Sequence, residues 1–374
     1  MRILQVSSAQ EMGGGEKHLV ELVQNLVGRG HEMHIAARPQ SPLVEFLNGN
    51  RAIKFHELPF RNALDFNSSH ALASLARELH VDVVHAHVAR DYPICARAAR
   101  GAGVPFVLTR HHFNPLKGGA LTQWSLRNVA YLIAVSREVA RTLSLSLPRL
   151  ATRVRVIPNW IGSLSLSPLD RRTARERLRI SRPFCTAIVG KISPNKGQAL
   201  FVEMARLVAA RRVQDDVEFL IAGFLEESDS EYEQAIRNSI ATSGLTDRIR
   251  FAGYVENIAE LMSAFDIVVA PSENEAFSLV VAEAMAARSA VVASARGGIR
   301  ELVEGYPGEN EAGVLVPEIT PEAFATEVIA LLKDSERRLR MGQSARASIL
   351  ARFDQDKLID EIEALYETLS VDKK

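Results

Sequence analysis

Cysteine is nearly absent from this chain of 374 residues, which has only Cys95 and Cys185. Two distant thiols without metal-ligand spacing argue against a disulfide framework or a zinc module, and a reduced, cytoplasmic setting is expected. No apolar run approaches the ~20 residues needed to cross a bilayer. The opening Met1–Ser8 stretch is apolar for too short a length to be a secretory core, and reads as a first buried strand. Net charge is zero, and no basic run is interleaved with aromatics, so nucleic acid is not an expected partner. A nicotinamide fingerprint is also missing. After the first strand, Gly13-Gly14-Gly15-Glu16-Lys17 has His18 where the third glycine would stand. The second strand ends Ala36-Ala37-Arg38, without an acid for a ribose diol. Gly190-Lys191-Ile192-Ser193-Pro194-Asn195-Lys196-Gly197 is not a Walker loop, because no Gly-Lys-Ser/Thr closes it.

What is present is strand–helix alternation, twice over. Ile3–Ser7, Glu32–Ala37, Val81–His85, Pro105–Thr109, Tyr131–Val135 and Val154–Ile157 read as strands. Amphipathic stretches such as Lys17–Arg29, Ser69–His80 and Asp91–Arg100 lie between them. A second series comprises Phe184–Val189, Val217–Ala222, Arg248–Ala252, Asp266–Ala270 and Ala290–Ala293. Short Val/Ile/Leu-rich runs between helices predict parallel sheets covered on both faces. The length suits two domains, and the Pro-, Gly- and Ser-rich stretch 158–168 marks the connection. The expected organisation is therefore a domain at 1–165, a second at 166–350, and a closing helical segment at 351–374.

Charge is uneven. Residues 1–165 hold 19 basic and 11 acidic side chains, and residues 84–155 hold 11 and 2. Such a surface attracts an anionic partner or an anionic membrane, unless the arginines merely solvate helix faces.

Chemistry-bearing residues gather where strands end, the side of an open parallel sheet that faces ligand. Gly14 and Gly15 let backbone approach an anion at a helix start. His85 and His87 end one strand, on opposite faces in this reading, and His111 and His112 follow another. No carboxylate cluster joins them, so no metal site is expected. His111 suits a hydrogen bond to sugar or phosphate, whereas His85 suits a structural role. Lys191 and Lys196, five apart around a turn, can neutralise a diphosphate.

The strongest segment runs from Ala270 to Ala286. Glu275 precedes a very apolar helix and Glu283 lies past its first turn. A helix so apolar should be almost wholly buried, which makes Glu283 costly unless it is partnered, for instance by a diol. N–H groups near Ser278, Leu279 and Val280 can hold a diphosphate. Asp354-Gln355-Asp356 reads as a helix cap rather than a metal motif.

Taken together, these motifs resemble glycosyltransferase family 4 over nearly the whole chain, with Glu275-x7-Glu283 as the most diagnostic element. The Gly-rich loop, Thr109-Arg110-His111, Val135-Ser136, Val156-Ile157-Pro158-Asn159, Gly190…Lys196-Gly197, Phe251-Ala252-Gly253-Tyr254-Val255 and Gly297-Gly298-Ile299-Arg300-Glu301-Leu302 fall in the family's order. The resemblance implies an α/β GT-B fold, with two Rossmann-like domains across a cleft, acceptor on the first and nucleotide-sugar donor on the second. It implies a retaining, metal-independent transfer without cofactor, to a glycan or glycolipid acceptor, in cell-surface polysaccharide, lipopolysaccharide or glycolipid synthesis. Peripheral contact with an anionic membrane is expected alongside.

By the same resemblance, Glu283 holds the donor ribose, Glu275 contacts sugar hydroxyls, and Lys191 and Lys196 neutralise the diphosphate. Backbone at Phe277, Ser278, Leu279 and Val280 cradles phosphate and sugar. Tyr254 and Val255 lie beside the base, Gly14, Gly15 and Gly190 near the phosphates, and His111 near the sugar. The sequence departs from the pattern at Lys191 (usually Arg), Ala276 and Ser278 (often Ser and Gly), Arg288 (often Gly) and Arg300 (often Pro). Two alternatives share the motifs, a nucleotide-sugar epimerase and a non-catalytic nucleotide-sugar-binding protein.

Overall fold

The structure, a computed structural model, describes every residue except 48, 117–119, 163–169, 212–215, 225–228, 256, 305–310 and 372–374. It divides into two compact units, Met1–Trp160 with Gln355–Lys374, and Ile161–Asp354.

The first unit holds a parallel sheet of seven strands: β1 (Arg2–Ser7), β2 (Glu32–Ala37), β3 (Ile53–Glu57), β4 (Val83–Ala86), β5 (Phe106–Arg110), β6 (Tyr131–Ala134) and β7 (Val154–Val156). Their order is β3-β2-β1-β4-β5-β6-β7. The central strands are buried on both faces, as the unbroken apolar runs require. β3 is absent from the sequence reading because Lys54, His56 and Glu57 interrupt its apolar pattern; it is an edge strand with only Ile53 buried. Helix Gly14–Gly28 starts three residues earlier than its amphipathic pattern does, because the glycines form its first turn. The helix Gln355–Val371 packs Leu358, Ile359, Ile362 and Tyr366 into this unit's core beside Ile3, Leu19 and Val83.

The second unit repeats the plan with six parallel strands: β8 (Phe184–Val189), β9 (Val217–Ala222), β10 (Ile249–Gly253), β11 (Ile267–Ala270), β12 (Ala290–Ser294) and β13 (Val314–Val316), in the order β10-β9-β8-β11-β12-β13. β13, a three-residue edge strand, is also absent from the sequence reading. In both sheets the order reverses beside the first strand, between β1 and β4 and between β8 and β11. At such a reversal the flanking connections leave toward opposite faces, opening a crevice at the strands' carboxyl ends. Among the described residues no helix is long and apolar enough to cross a membrane.

Candidate active site

In the second unit, the carboxyl ends of β8, β9 and β10 are stitched together by backbone. Gly190 N–H donates to the Ala222 carbonyl (2.9 Å), and Gly223 N–H donates to the Gly253 carbonyl (2.9 Å). A Cβ on Gly223 would lie 1.8 Å from the Gly190 carbonyl oxygen, so this approach requires glycine. The stitching carries Gly190, Lys191, Tyr254 and Val255 to one rim of the sheet. Tyr254 is exposed and Val255 half-buried. Lys191 Nζ lies 3.4 Å from Asp229, at the start of helix Ser230–Ser243. Gln198, almost fully buried, donates to the Lys191 carbonyl at 2.9 Å and fixes the turn.

Across the reversal, the loop after β11 meets this turn. Gly197, at φ 81°, is so close to Pro271 that a Cβ would sit 2.8 Å from its ring. Lys196 Nζ donates to Glu275 Oε1 as an ion pair. Glu275 is fixed by its backbone as well, since the Gly298 N–H donates to its carbonyl at 2.9 Å. Side chains at Gly297 or Gly298 would strike the 275 and 276 carbonyls. The Gly297-Gly298 pair thus serves this site by letting the next helix press against the loop. Ser294 Oγ holds the Ser272 carbonyl (2.6 Å), and Phe277 is buried edge-on against Phe353. Ser278 has φ 79°, a left-handed conformation with a steric cost for any residue but glycine, and Arg288 has φ 64°. Both are positions where the sequence departs from a frequent glycine.

The helix Leu279–Ala286 corrects one expectation. It is not buried all round: Val281, Ala282 and Ala284–Ala286 are buried, but Leu279, Val280 and Glu283 are half-exposed. These three fall on one stripe of a 3.6-residue helix, so the apolar sequence hides an open face. Glu283 therefore sits at a surface, one turn above the N–H groups of the first turn.

In the first unit, β1 and β4 bring together what the sequence scatters. The helix at Gly14 begins under His111, and a Cβ on Gly15 would lie 3.2 Å from the imidazole. His85 and His87 do not point to opposite faces: residues two apart on a strand share a face, and their rings lie 4.2 Å apart. His87 Nδ1 is 3.3 Å from His111 Nε2, and His18 stacks on Trp160 at 3.9 Å. Trp160 donates to Glu21 at 2.6 Å. Burial pushes the imidazoles of His18, His85, His87 and His111 well below their ordinary pKa, and the neighbouring imidazoles reinforce this. Asp91 is fully buried beside Ser8, whose N–H donates to Oδ2 at 2.8 Å, while Oδ1 has no partner. Burial raises its carboxyl to about 6. Among the described residues, no three His, Cys, Asp or Glu side chains are grouped to hold a metal ion. Asp356 lies in the first turn of the closing helix, 3.8 Å from Arg29.

Two family models cover the chain almost end to end. Glycosyltransferase Family 4 matches residues 12–162, and Glycosyl transferases group 1 matches residues 170–348. A D-inositol 3-phosphate glycosyltransferase of Xylanimonas cellulosilytica is 30% identical over 93% of this chain and 89% of that protein. The chain belongs to glycosyltransferase family 4. Another relative, the N-acetyl-alpha-D-glucosaminyl L-malate synthase of Bacillus anthracis, is 26% identical over 97% of this chain and 96% of its own. The fold matches Anabaena HepE crystallised with UDP, at a TM-score of 0.85 and 23% identity over 99% of this chain and 100% of that one. This confirms the GT-B fold of two Rossmann-like units.

As a family 4 glycosyltransferase, the chain places Gly190, Lys191, Lys196, Glu275 and the helix start at Leu279 around one strand reversal, and Gly15 and His111 at another. Asp229, Gln198, Gly223 and Asp91 were missed by the sequence reading. Gly223 could have been found, since a glycine ending a strand repeats the Val189-Gly190 pattern. Asp229 and Gln198 leave no such mark.

Proposed function

We propose that this glycosyltransferase moves a sugar from a nucleotide-sugar donor, held by the second unit, to an anionic acceptor recruited by the first, with retention of configuration and without a metal ion. The observation that carries the donor reading is the convergence of Lys191, Lys196, Glu275 and the Leu279 helix start at the β8/β11 reversal. Two ammonium groups, each beside a carboxylate, and a helix N-terminus present the N–H donors that a diphosphate requires. In this reading Glu283, on the open stripe, takes the ribose hydroxyls. Tyr254 and Val255, on the same rim, take the base. UDP is the favoured nucleotide, because HepE of the same fold is crystallised with it.

Glu275 is engaged by Lys196, which suits it to orient hydroxyls rather than to form a covalent intermediate. Retention then follows from attack on the face that the diphosphate leaves, with the leaving phosphate taking the acceptor's proton. The protein contributes position and charge.

Glu283→Gln tests the donor site. The amide replaces one acceptor oxygen with a donor and removes the charge, so calorimetry with UDP should show a loss on the order of 1–3 kcal/mol. Unchanged affinity in the folded variant would remove Glu283 from the site. Turnover of UDP-glucose in excess EDTA should match turnover in magnesium, because the lysines carry the charge. Activity abolished by EDTA and restored by manganese would sink the metal-free reading.

The anionic acceptor rests on the first unit's charge and on one patch of its surface. Arg97 and Arg100, one turn apart on helix Tyr92–Ala102, lie over the rings of exposed Phe66 (4.8 Å) and Trp124 (5.5 Å). Arg127 covers Trp124 at 4.2 Å. Some basic residues of the 84–155 stretch therefore share a face; Lys117 lies outside the described residues. Names of relatives include inositol 3-phosphate, malate and phosphatidyl-myo-inositol, all anionic. If the patch meets anionic lipid, cosedimentation with phosphatidylglycerol vesicles should fall as salt rises, since exposed charges are screened over about 8 Å at physiological ionic strength. Equal partitioning to neutral vesicles, or none, would leave only a soluble anionic acceptor.

A further inference from the structure

His111 is one end of a hydrogen-bonded chain that runs to the closing helix. Tyr366, fully buried on helix Gln355–Val371, has its hydroxyl 2.5 Å from His85 Nδ1 and 3.4 Å from Gln5 Nε2. His85 Nε2 lies 2.8 Å from Thr109 Oγ1. Gln5 Oε1, on β1, lies 2.8 Å from His87 Nε2, and His87 Nδ1 lies 3.3 Å from His111 Nε2. His111 Nδ1 is buried and has no partner.

Each link constrains the next. An amide oxygen only accepts, so His87 carries its proton on Nε2. The burial that keeps these imidazoles neutral leaves each with one ring proton. His87 Nδ1 is therefore a bare lone pair, and His111 must donate to it from Nε2. At the other end, Gln5 Nε2 donates to the Tyr366 oxygen, and the Tyr366 hydroxyl donates to His85 Nδ1. His85 then donates from Nε2 to Thr109.

We propose that Tyr366, Gln5 and His87 are positioning residues that hold His111 as its Nε2–H tautomer, presenting Nδ1 as a hydrogen-bond acceptor to a hydroxyl of the sugar or acceptor. The proposal rests on the reading that His111 lies near the transferred sugar. It assigns the closing helix a chemical role: the Tyr366 hydroxyl favours one facing of the Gln5 amide, because a turned amide would need the same hydroxyl proton that His85 Nδ1 takes. Without the Tyr366 hydroxyl, the amide can turn over. His87 must then accept on Nε2 and donate from Nδ1, and His111 keeps its proton on the wrong nitrogen, offering a donor where an acceptor belongs.

The test is long-range proton–nitrogen correlation NMR on the full chain with 15N-labelled histidine at pH 7.5, with His111 assigned from the signal lost in His111→Gln. In the unmodified protein, His111 Nδ1 should show the pyridine-like nitrogen shift and Nε2 the pyrrole-like one. Tyr366→Phe should produce a second set of His87 and His111 signals with the two shifts exchanged. Leu358→Ala, which loosens the same helix without touching the chain of bonds, should lower the melting temperature and leave both tautomers unchanged. A proton on Nδ1 of His111 in the unmodified protein, or unchanged tautomers in Tyr366→Phe, overturns the proposal. The first measurement needs no variant to fold and no substrate, so its failure is distinguishable from failure of the donor assignment, which Glu283→Gln tests.

Discussion

Lowering the pH from 7.5 to 5.5 should unfold the first unit far more readily than the second. His18, His85 and His87 are buried and held neutral, with burial the main cause. Their folded pKa values lie below the unfolded value of about 6.5. The stability that they contribute is thus present above pH 6.5 and is lost as pH falls, because only the unfolded chain takes up protons. Asp91 works in the opposite sense. Its folded carboxyl is raised to about 6 by burial, so its contribution is present at low pH and is lost as pH rises through 6. Three histidines against one carboxyl leave a net loss on the order of 3 kcal/mol, a large share of a typical domain's 5–15 kcal/mol. Half-buried His111 adds to the loss with the same sign. Both tryptophans, Trp124 and Trp160, belong to the first unit, so urea titrations followed by tryptophan fluorescence report on it selectively. His18→Phe keeps a ring against Trp160 and removes one titrating site, and should recover about 1 kcal/mol at pH 5.5. Equal urea midpoints at the two pH values would show that the imidazoles are not held neutral.

Replacing Lys196 with alanine should cost about 100- to 1000-fold in kcat/KM for the nucleotide-sugar donor, the usual scale for removing one preorganised charge partner of a developing anion. Lys196 ends the turn Pro194–Lys196, and its ammonium is held by Glu275. That pairing fixes the side chain before any phosphate arrives, so little ordering remains to be done when charge builds on the leaving group. The pair is partly exposed, with side-chain accessibilities of 31% and 15%. Its loss should therefore change stability by no more than about 1 kcal/mol, and a fall in activity would not reflect unfolding. Lys196→Arg should retain most of the activity because the charge is kept. A loss smaller than about threefold in Lys196→Ala would place the diphosphate elsewhere.

Much of this site was legible in the chain itself. Strand ends are marked by the switch from apolar runs to Gly, Pro and polar residues, so Gly190, Lys196, Glu275 and His111 could be assigned to one side of parallel sheets. The Glu275-x7-Glu283 spacing and the order of the motifs carried the family, and with it the GT-B fold. β3 escaped because polar residues interrupt this edge strand, and the short edge strand β13 escaped with it. The open stripe of Leu279, Val280 and Glu283 escaped because a composition this apolar reads as burial on every side. Which face stays open depends on which neighbours cover it.

Local pattern thus determined the elements, their parallel arrangement and the chemical types at each strand end. Those signals extend over a few residues and need no partner. Tertiary structure alone decided the pairings, because each joins groups whose separation along the chain carries no periodic signal. Lys196 meets Glu275 across 79 positions, and Lys191 meets Asp229 beyond the helix Gln198–Ala210 and β9. Tyr366 reaches His85 across 281 positions, and so decides what the imidazoles near β4 can donate or accept. A tautomer is set by the partner of the opposite ring nitrogen, and that partner is chosen by packing of the closing helix into the first core.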